Sequence, residues 1–300
     1  MNSPTKSDQG FLTIVEHACQ EIRGFKKLYK KLDDKVRLSG HSMSTLNNYS
    51  RKLALISLHF KKLPQDVSVK DINKYLASLV RQSKSPSLSD FKFFVYSLRY
   101  CYQLLGMTNK IVHLPILKKT HKLPVVLNFE ECRALFKANE QLKHRVLLSL
   151  IYSAGMRSGE ALRLKIVDID TVRMTIHIRQ SKCNKDRYVP LSPKILIGLE
   201  KYFNAYHPVE YVFNGNKPGF PLSPTGIQWV LHEAVRKCKL QKKINIHTLR
   251  HSYATHLLEN GLDIVTIKDL LGHSRIETTM VYLHVAQFSR KNVFSPFDKL

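Results

Sequence analysis

Six residues of types that handle anions and protons lie in the second half of the 300-residue chain. They are Arg157 in AGMRSGEALRL, Lys182 in RQSKCNKD, His247 and Arg250 in INIHTLRHSYATHLLENG, and His273 and Tyr282 in LLGHSRIETTMVYLHV. Guanidinium and ammonium groups hold anionic oxygens, an imidazole changes protonation near neutral pH, and a phenol donates, accepts or attacks. Taken singly, each has an ordinary reading. Arg157 is a surface arginine near a turn, Lys182 a solvated lysine, His247 and Arg250 a chance HxxR among 14 histidines, and Tyr282 a core tyrosine. His247 and His251 have the spacing of a zinc-protease helix, but Thr248 stands where that motif needs its glutamate, so a metal site is not expected.

Positioning these residues requires helices and one hairpin. Gly155 precedes Arg157 at what reads as the junction of two helices, and a helix starting near His247 sets Arg250 on the same face three residues on. Gly261 ends that helix, Asp263 caps the next through Ile264, Ile267 and Leu270, and Gly272 ends it. Ser274 and Glu277 have capping-box spacing for a short helix toward Tyr282. Residues 165 to 191 hold strand-like runs, MTIHI and RYVPL, separated by the polar turn that carries Lys182.

Before residue 112 the pattern is helical and basic. Leu46, Tyr49, Leu53, Ile56 and Phe60 form one apolar stripe, Ile72, Tyr75, Leu76 and Leu79 a second, and Phe91, Phe94, Leu98, Tyr102 and Leu105 a third. Ser68 and Asp71 mark the start of the second helix, and Gly106 the end of the third. The aromatics fall on the apolar stripes and read as core, which leaves the Lys and Arg of the opposite faces for phosphate contacts. An amphipathic segment from Phe11 to about Leu32 reads as one extra N-terminal helix within 1–38. Residues 113–124, HLPILKKTHKLP, read as a linker between a helical domain, 1–112, and a second domain, 125–300.

The chain carries 48 Lys and Arg against 23 Asp and Glu, a formal charge of +25 spread along its length, which favours a polyanionic partner and nucleic acid above all. No apolar run reaches the ~18 residues of a membrane span, and no signal-peptide pattern opens the chain. A soluble, cytoplasmic protein is expected. Five scattered cysteines without a CxxC pair are expected to be free thiols.

In order and context the six residues resemble the tyrosine recombinase/phage integrase family. The arginine of AGMRSGEALRL, a lysine on a hairpin, HTLRH, LLGHS and a tyrosine near the C-terminus carry the likeness across residues 125–300, and the TLNNYSRKL helix resembles that family's core-binding domain. The resemblance implies a mainly α fold with a small antiparallel β-sheet in the C-terminal domain, the two domains closing on DNA as a clamp. It implies a site-specific recombinase that cuts and rejoins double-stranded DNA through a 3′-phosphotyrosyl intermediate, without ATP, metal or other cofactor.

By that resemblance Tyr282 is the nucleophile, Arg157 and Arg250 hold the non-bridging oxygens, and Lys182 protonates the leaving 5′-oxygen. His247 and His273 hydrogen-bond the phosphate, and His247 is placed to accept the tyrosine proton. Glu160 matches an acidic family position that orients the site; an ordinary helix-surface carboxylate is the competing reading. Relatives often flank the hairpin lysine with glycines, where this chain has Ser181 and Cys183, so Lys185 is a second candidate for the acid. A homotetramer on two DNA sites is implied, with an accessory protein as a further partner. Two rival functions share these features: a type IB topoisomerase, and a DNA-binding accessory protein whose site is redundant.

Overall fold

A computed structural model describes residues 13–82, 88–107, 109–113, 123–179, 186–215 and 219–286. The chain divides into two compact units, Met1–Thr120 and His121–Leu300.

The first unit is helical. Helix α1, Ile14–Glu21, opens on a Thr13–Glu16 capping box, and α2, Phe25–Leu38, buries Phe25, Leu28, Leu32 and Val36 along one stripe. These are two helices where the periodicity suggested one from Phe11 to Leu32, because Gly24 takes φ +87° between them and breaks the α-helical path. Helix α3, Met43–Phe60, is capped by the Ser42 hydroxyl, which accepts from the Thr45 N–H. Helices α4, Val69–Gln82, and α5, Leu88–Leu104, complete the unit. Ser68 caps α4 by accepting from the Asp71 N–H at 3.1 Å. Past the end of α5, Gly106 turns back at φ +71° and the Met107 N–H reaches the Tyr102 carbonyl at 2.9 Å. The aromatic stripes are core: Phe91, Phe94 and Tyr102 are buried, and Tyr49, Phe60 and Tyr75 pack against them.

The second unit is built around α7, Leu142–Ser153, in which Leu147, Leu148, Leu150 and Ile151 are all fully buried. A helix apolar on most sides belongs in the middle of a core. Around it lie α6, Phe129–Lys137, α8, Ser158–Arg163, α9, Pro193–Tyr206, and α10, Pro224–Cys238. Helix α11, Ile246–Glu259, also packs on α7 and is followed by α12, Ile264–Leu271, and the short α13, Glu277–Met280.

A three-stranded antiparallel sheet of β1, Ile169–Asp170, β2, Thr175–Ile178, and β3, Arg187–Pro190, contains the expected hairpin. Its register pairs buried Ile176 with Val189 and outward His177 with Tyr188, whose rings stack at 4.6 Å. The mainly helical fold with a small sheet is therefore the one expected. Among the described residues, no helix is long and apolar enough to cross a membrane.

Candidate active site

The C-terminal end of α12 gathers the cationic residues. A helix leaves its last carbonyls without intrahelical donors and carries partial negative charge there. Here three arginines from three different elements donate to them. Arg187 of β3 reaches Leu270 O at 2.7 Å, Arg250 of α11 reaches Leu271 O, and Arg157 reaches Gly272 O at 3.2 Å. Gly272 supplies the left-handed cap at φ +62°.

Each arginine has a second anchor. Arg157 is the N-cap of α8 and its Nη1 donates to Glu160 Oε1 at 2.7 Å. Arg187 forms a two-pronged pair with Glu160, at 2.9 and 2.8 Å. Arg250 donates to Gly155 O at 2.6 Å. Glu160 is buried beneath all three and is no surface carboxylate. Burial pushes its carboxyl up, but hydrogen bonds and charge from Arg187 and then Arg157 outweigh burial and hold it at about 2. Three guanidiniums share one carboxylate, so two positive charges are left over in a water-poor setting, where they attract an anion strongly. Burial, reinforced by Arg157, pulls Arg250 down to about 9, still charged at neutral pH.

Helix α11 begins at Ile246, with Asn245 as its N-cap, so His247 and Arg250 do share a face in its first turn. His273, just past α12, bonds Thr279 Oγ1 through Nδ1 at 2.9 Å. Burial and then Arg250 and Arg157 lower it to about 3; the same causes lower His247. Both imidazoles are neutral at pH 7.

Tyr282 sits in a 3₁₀ turn, Val281–His284, packed with Tyr253, Leu258, Ile267 and Leu271. The expected Ser274–Glu277 capping box is not formed: α13 starts behind Ile276 with no side-chain cap, and backbone bonds such as Thr279 N–H to Ile276 O hold it. Burial raises the phenol of Tyr282, while Arg250 and Arg157 oppose that rise, so their field reaches its oxygen. Its hydroxyl meets Nδ1 of His251 at 3.1 Å, although His247 was the expected acceptor.

The structure thus brings Arg157, Glu160, Arg250 and Tyr282 into one neighbourhood, with His247 and His273 within reach of the arginines' charge. Lys182 and Lys185, together with Ser181 and Cys183, lie outside the described residues. Two residues of the cluster were not singled out from the sequence for this role, Arg187 and His251. Among the described residues, no group of three or more His, Cys, Asp or Glu is placed to hold a metal ion.

Residues 108–288 match the phage integrase family. A tyrosine recombinase of Thermosipho africanus is 32% identical over 82% of this chain and 90% of its own. Tyrosine recombinase XerC of Halalkalibacterium halodurans is 30% identical over 89% and 93%. In fold, the chain is similar to XerH site-specific recombinase solved on difH DNA after cleavage, with a TM-score of 0.69 over 91% of each chain at 21% identity. The chain belongs to the phage integrase family of tyrosine recombinases, enzymes that transfer DNA strands.

Proposed function

We propose that this protein recombines double-stranded DNA at specific sites through a covalent bond between Tyr282 and a 3′-phosphate. The observation that carries the reading is the surplus positive charge of Arg157, Arg187 and Arg250, set around one carboxylate, with the field of Arg250 and Arg157 on the tyrosine hydroxyl. In-line attack at phosphorus puts negative charge on the non-bridging oxygens, and fixed guanidiniums stabilise it without reorganising. Arg157 and Arg250 hold those oxygens, and Glu160 and the carbonyls at the end of α12 hold the arginines.

His273 and His247, neutral at pH 7, offer hydrogen bonds to the phosphate. The leaving 5′-oxygen takes its proton from the hairpin lysine, Lys182 by the resemblance. Because the phosphotyrosyl bond keeps the energy of the broken linkage, the same groups run the reaction backwards on a new 5′-hydroxyl. Four copies on two duplex sites are the assembly the family resemblance implies.

The test is covalent trapping on duplex fragments of the DNA that flanks the gene. Wild-type protein should form an adduct that maps to Tyr282 and persists in EDTA, since arginines supply the positive charge. Tyr282→Phe should bind the same fragments with unchanged affinity and form none. An adduct with Tyr282→Phe, or one lost entirely on chelation, would overturn the reading.

A further inference from the structure

A phenol with its pKa raised by burial is fully protonated at neutral pH, so its attack on phosphorus requires something to take the proton. Tyr282 is 1% exposed, and bulk water is a poor candidate for that task. The side chain that meets its oxygen is the imidazole of His251, Nδ1 to Oη at 3.1 Å, with ring centroids 5.7 Å apart. His251 lies one turn beyond His247 on α11, immediately after Arg250, so one helical turn presents both the phosphate-binding guanidinium and a nitrogen on the nucleophile.

We propose that Nδ1 of His251, not His247, accepts the proton of Tyr282, an inference that rests on Tyr282 being the nucleophile. In the step, the bond from Tyr282 Oη to phosphorus forms while the phosphorus–5′-oxygen bond breaks. The phenolic proton passes to Nδ1, leaving an imidazolium, and the 5′-oxygen takes a separate proton from the hairpin acid. On religation the imidazolium returns its proton to the departing phenolate.

The ring is in the form that can accept. Burial, followed by the neighbouring His247 and Arg250, lowers His251 to about 4, so its ring is neutral at pH 7 with one free lone pair, but a weak base in the free protein. The groups facing this corner are His247 and Arg250 on α11, Arg157 at the head of α8 and His273 after α12. A DNA phosphate held by the arginines offsets their charge and raises the basicity of His251 when substrate is in place.

The experiment measures the rate of adduct formation by the full-length protein on the pooled duplex fragments described above. His251→Asn puts an amide near the Nδ1 position, keeping a hydrogen bond but no base, and should slow adduct formation by ~10²- to 10³-fold. Fluorinated tyrosine at 282, whose phenol ionises more readily, should remove most of that deficit. His247→Asn should be as slow with either phenol. Equal slowing of His251→Asn with both phenols, or the rescue appearing at His247 instead, would overturn the assignment.

DNA binding by each variant checks its fold, and nitrogen-15 spectra of the wild-type protein decide independently of any variant. Nδ1 of His251 must be the unprotonated ring nitrogen; a hydrogen on Nδ1 would leave it nothing to accept with and sink the proposal. If the wild-type protein forms no adduct at Tyr282, the nucleophile reading fails, and the base falls with it.

Discussion

Arg187 is a residue whose removal separates holding the site together from contacting DNA. Its guanidinium is spent on Glu160 and the Leu270 carbonyl. Glu160 keeps Arg157 when Arg187 is gone, so the loss should fall below the ~3–5 kcal/mol of a wholly unpaired buried charge, yet Arg187→Met should still lower the melting temperature, with Arg187→Lys in between. The effect should also depend on pH. In the wild type the Glu160 carboxyl is held at about 2 against an ordinary 4.5. Its stabilising contribution is therefore complete above 4.5 and disappears as pH falls toward 2. Without Arg187, burial is less opposed and the folded carboxyl moves up toward its unfolded value, so less stability is left to lose in acid, and the gap between wild type and Arg187→Met should narrow as pH falls below 4.5. Melting curves from pH 7 to pH 3 that ran parallel for the two proteins would contradict this.

The sequence did carry a signal for Arg187. In RYVPL the alternation that buries Val189 also buries the arginine two places before it, and a charged residue in phase with a buried face needs a buried counter-charge. His251 gave a weaker signal, since it was legible only as half of a metal-like pair whose glutamate is missing. Arg157, Arg250 and Tyr282 were legible because their flanking motifs are local; the Tyr282–His251 bond spans 31 residues and appears only once α11, α12 and α13 are packed.

At the scale of elements, helix ends were read better than helix interiors. Asp263 and Gly272 act as the sequence suggests, because caps are local chemistry. Ser274 and Glu277 had the same spacing but no cap forms, since α13 is a single turn with Ile276 already helical at its start. What no local pattern could show is that the carbonyls at the end of α12 are satisfied by arginines from β3, α8 and α11. That convergence makes the junctions between elements critical.

Gly155, between α7 and α8, takes φ +57°, and a Cβ there would lie 2.4 Å from the Tyr253 ring. Its carbonyl also anchors Arg250. Gly155→Ala should therefore cost several kcal/mol, roughly the ~1–2 of a left-handed alanine plus ~1–3 for overpacking, and should depress adduct formation in whatever protein still folds. Gly261→Ala is the control: φ is +88°, yet nothing lies within 4 Å of its Cβ position. It should cost only ~1–2 kcal/mol and leave the reaction unchanged. Equal losses at the two glycines, by thermal melting and by adduct yield, would show that contact with Tyr253 is immaterial.

At the scale of the whole molecule, the charge is shared almost evenly. Residues 1–120 carry 21 Lys and Arg against 8 Asp and Glu, and residues 121–300 carry 27 against 15. An excess of 13 in one unit and 12 in the other is not what a catalytic domain with a passive appendage would need; it suits two units that both bind the phosphate backbone. Each phosphate neutralised releases condensed counterions, so affinity should fall steeply with salt. With ~6–10 phosphate contacts, binding of the intact protein to duplex DNA should weaken ~10³- to 10⁵-fold between about 50 and 200 mM salt. Charge-reversing the exposed Lys27, Lys30 and Lys31 of α2 should flatten that slope, and an unchanged slope would show that this face of α2 makes no phosphate contact. A slope near zero for the unaltered protein would break the link between its charge and its substrate.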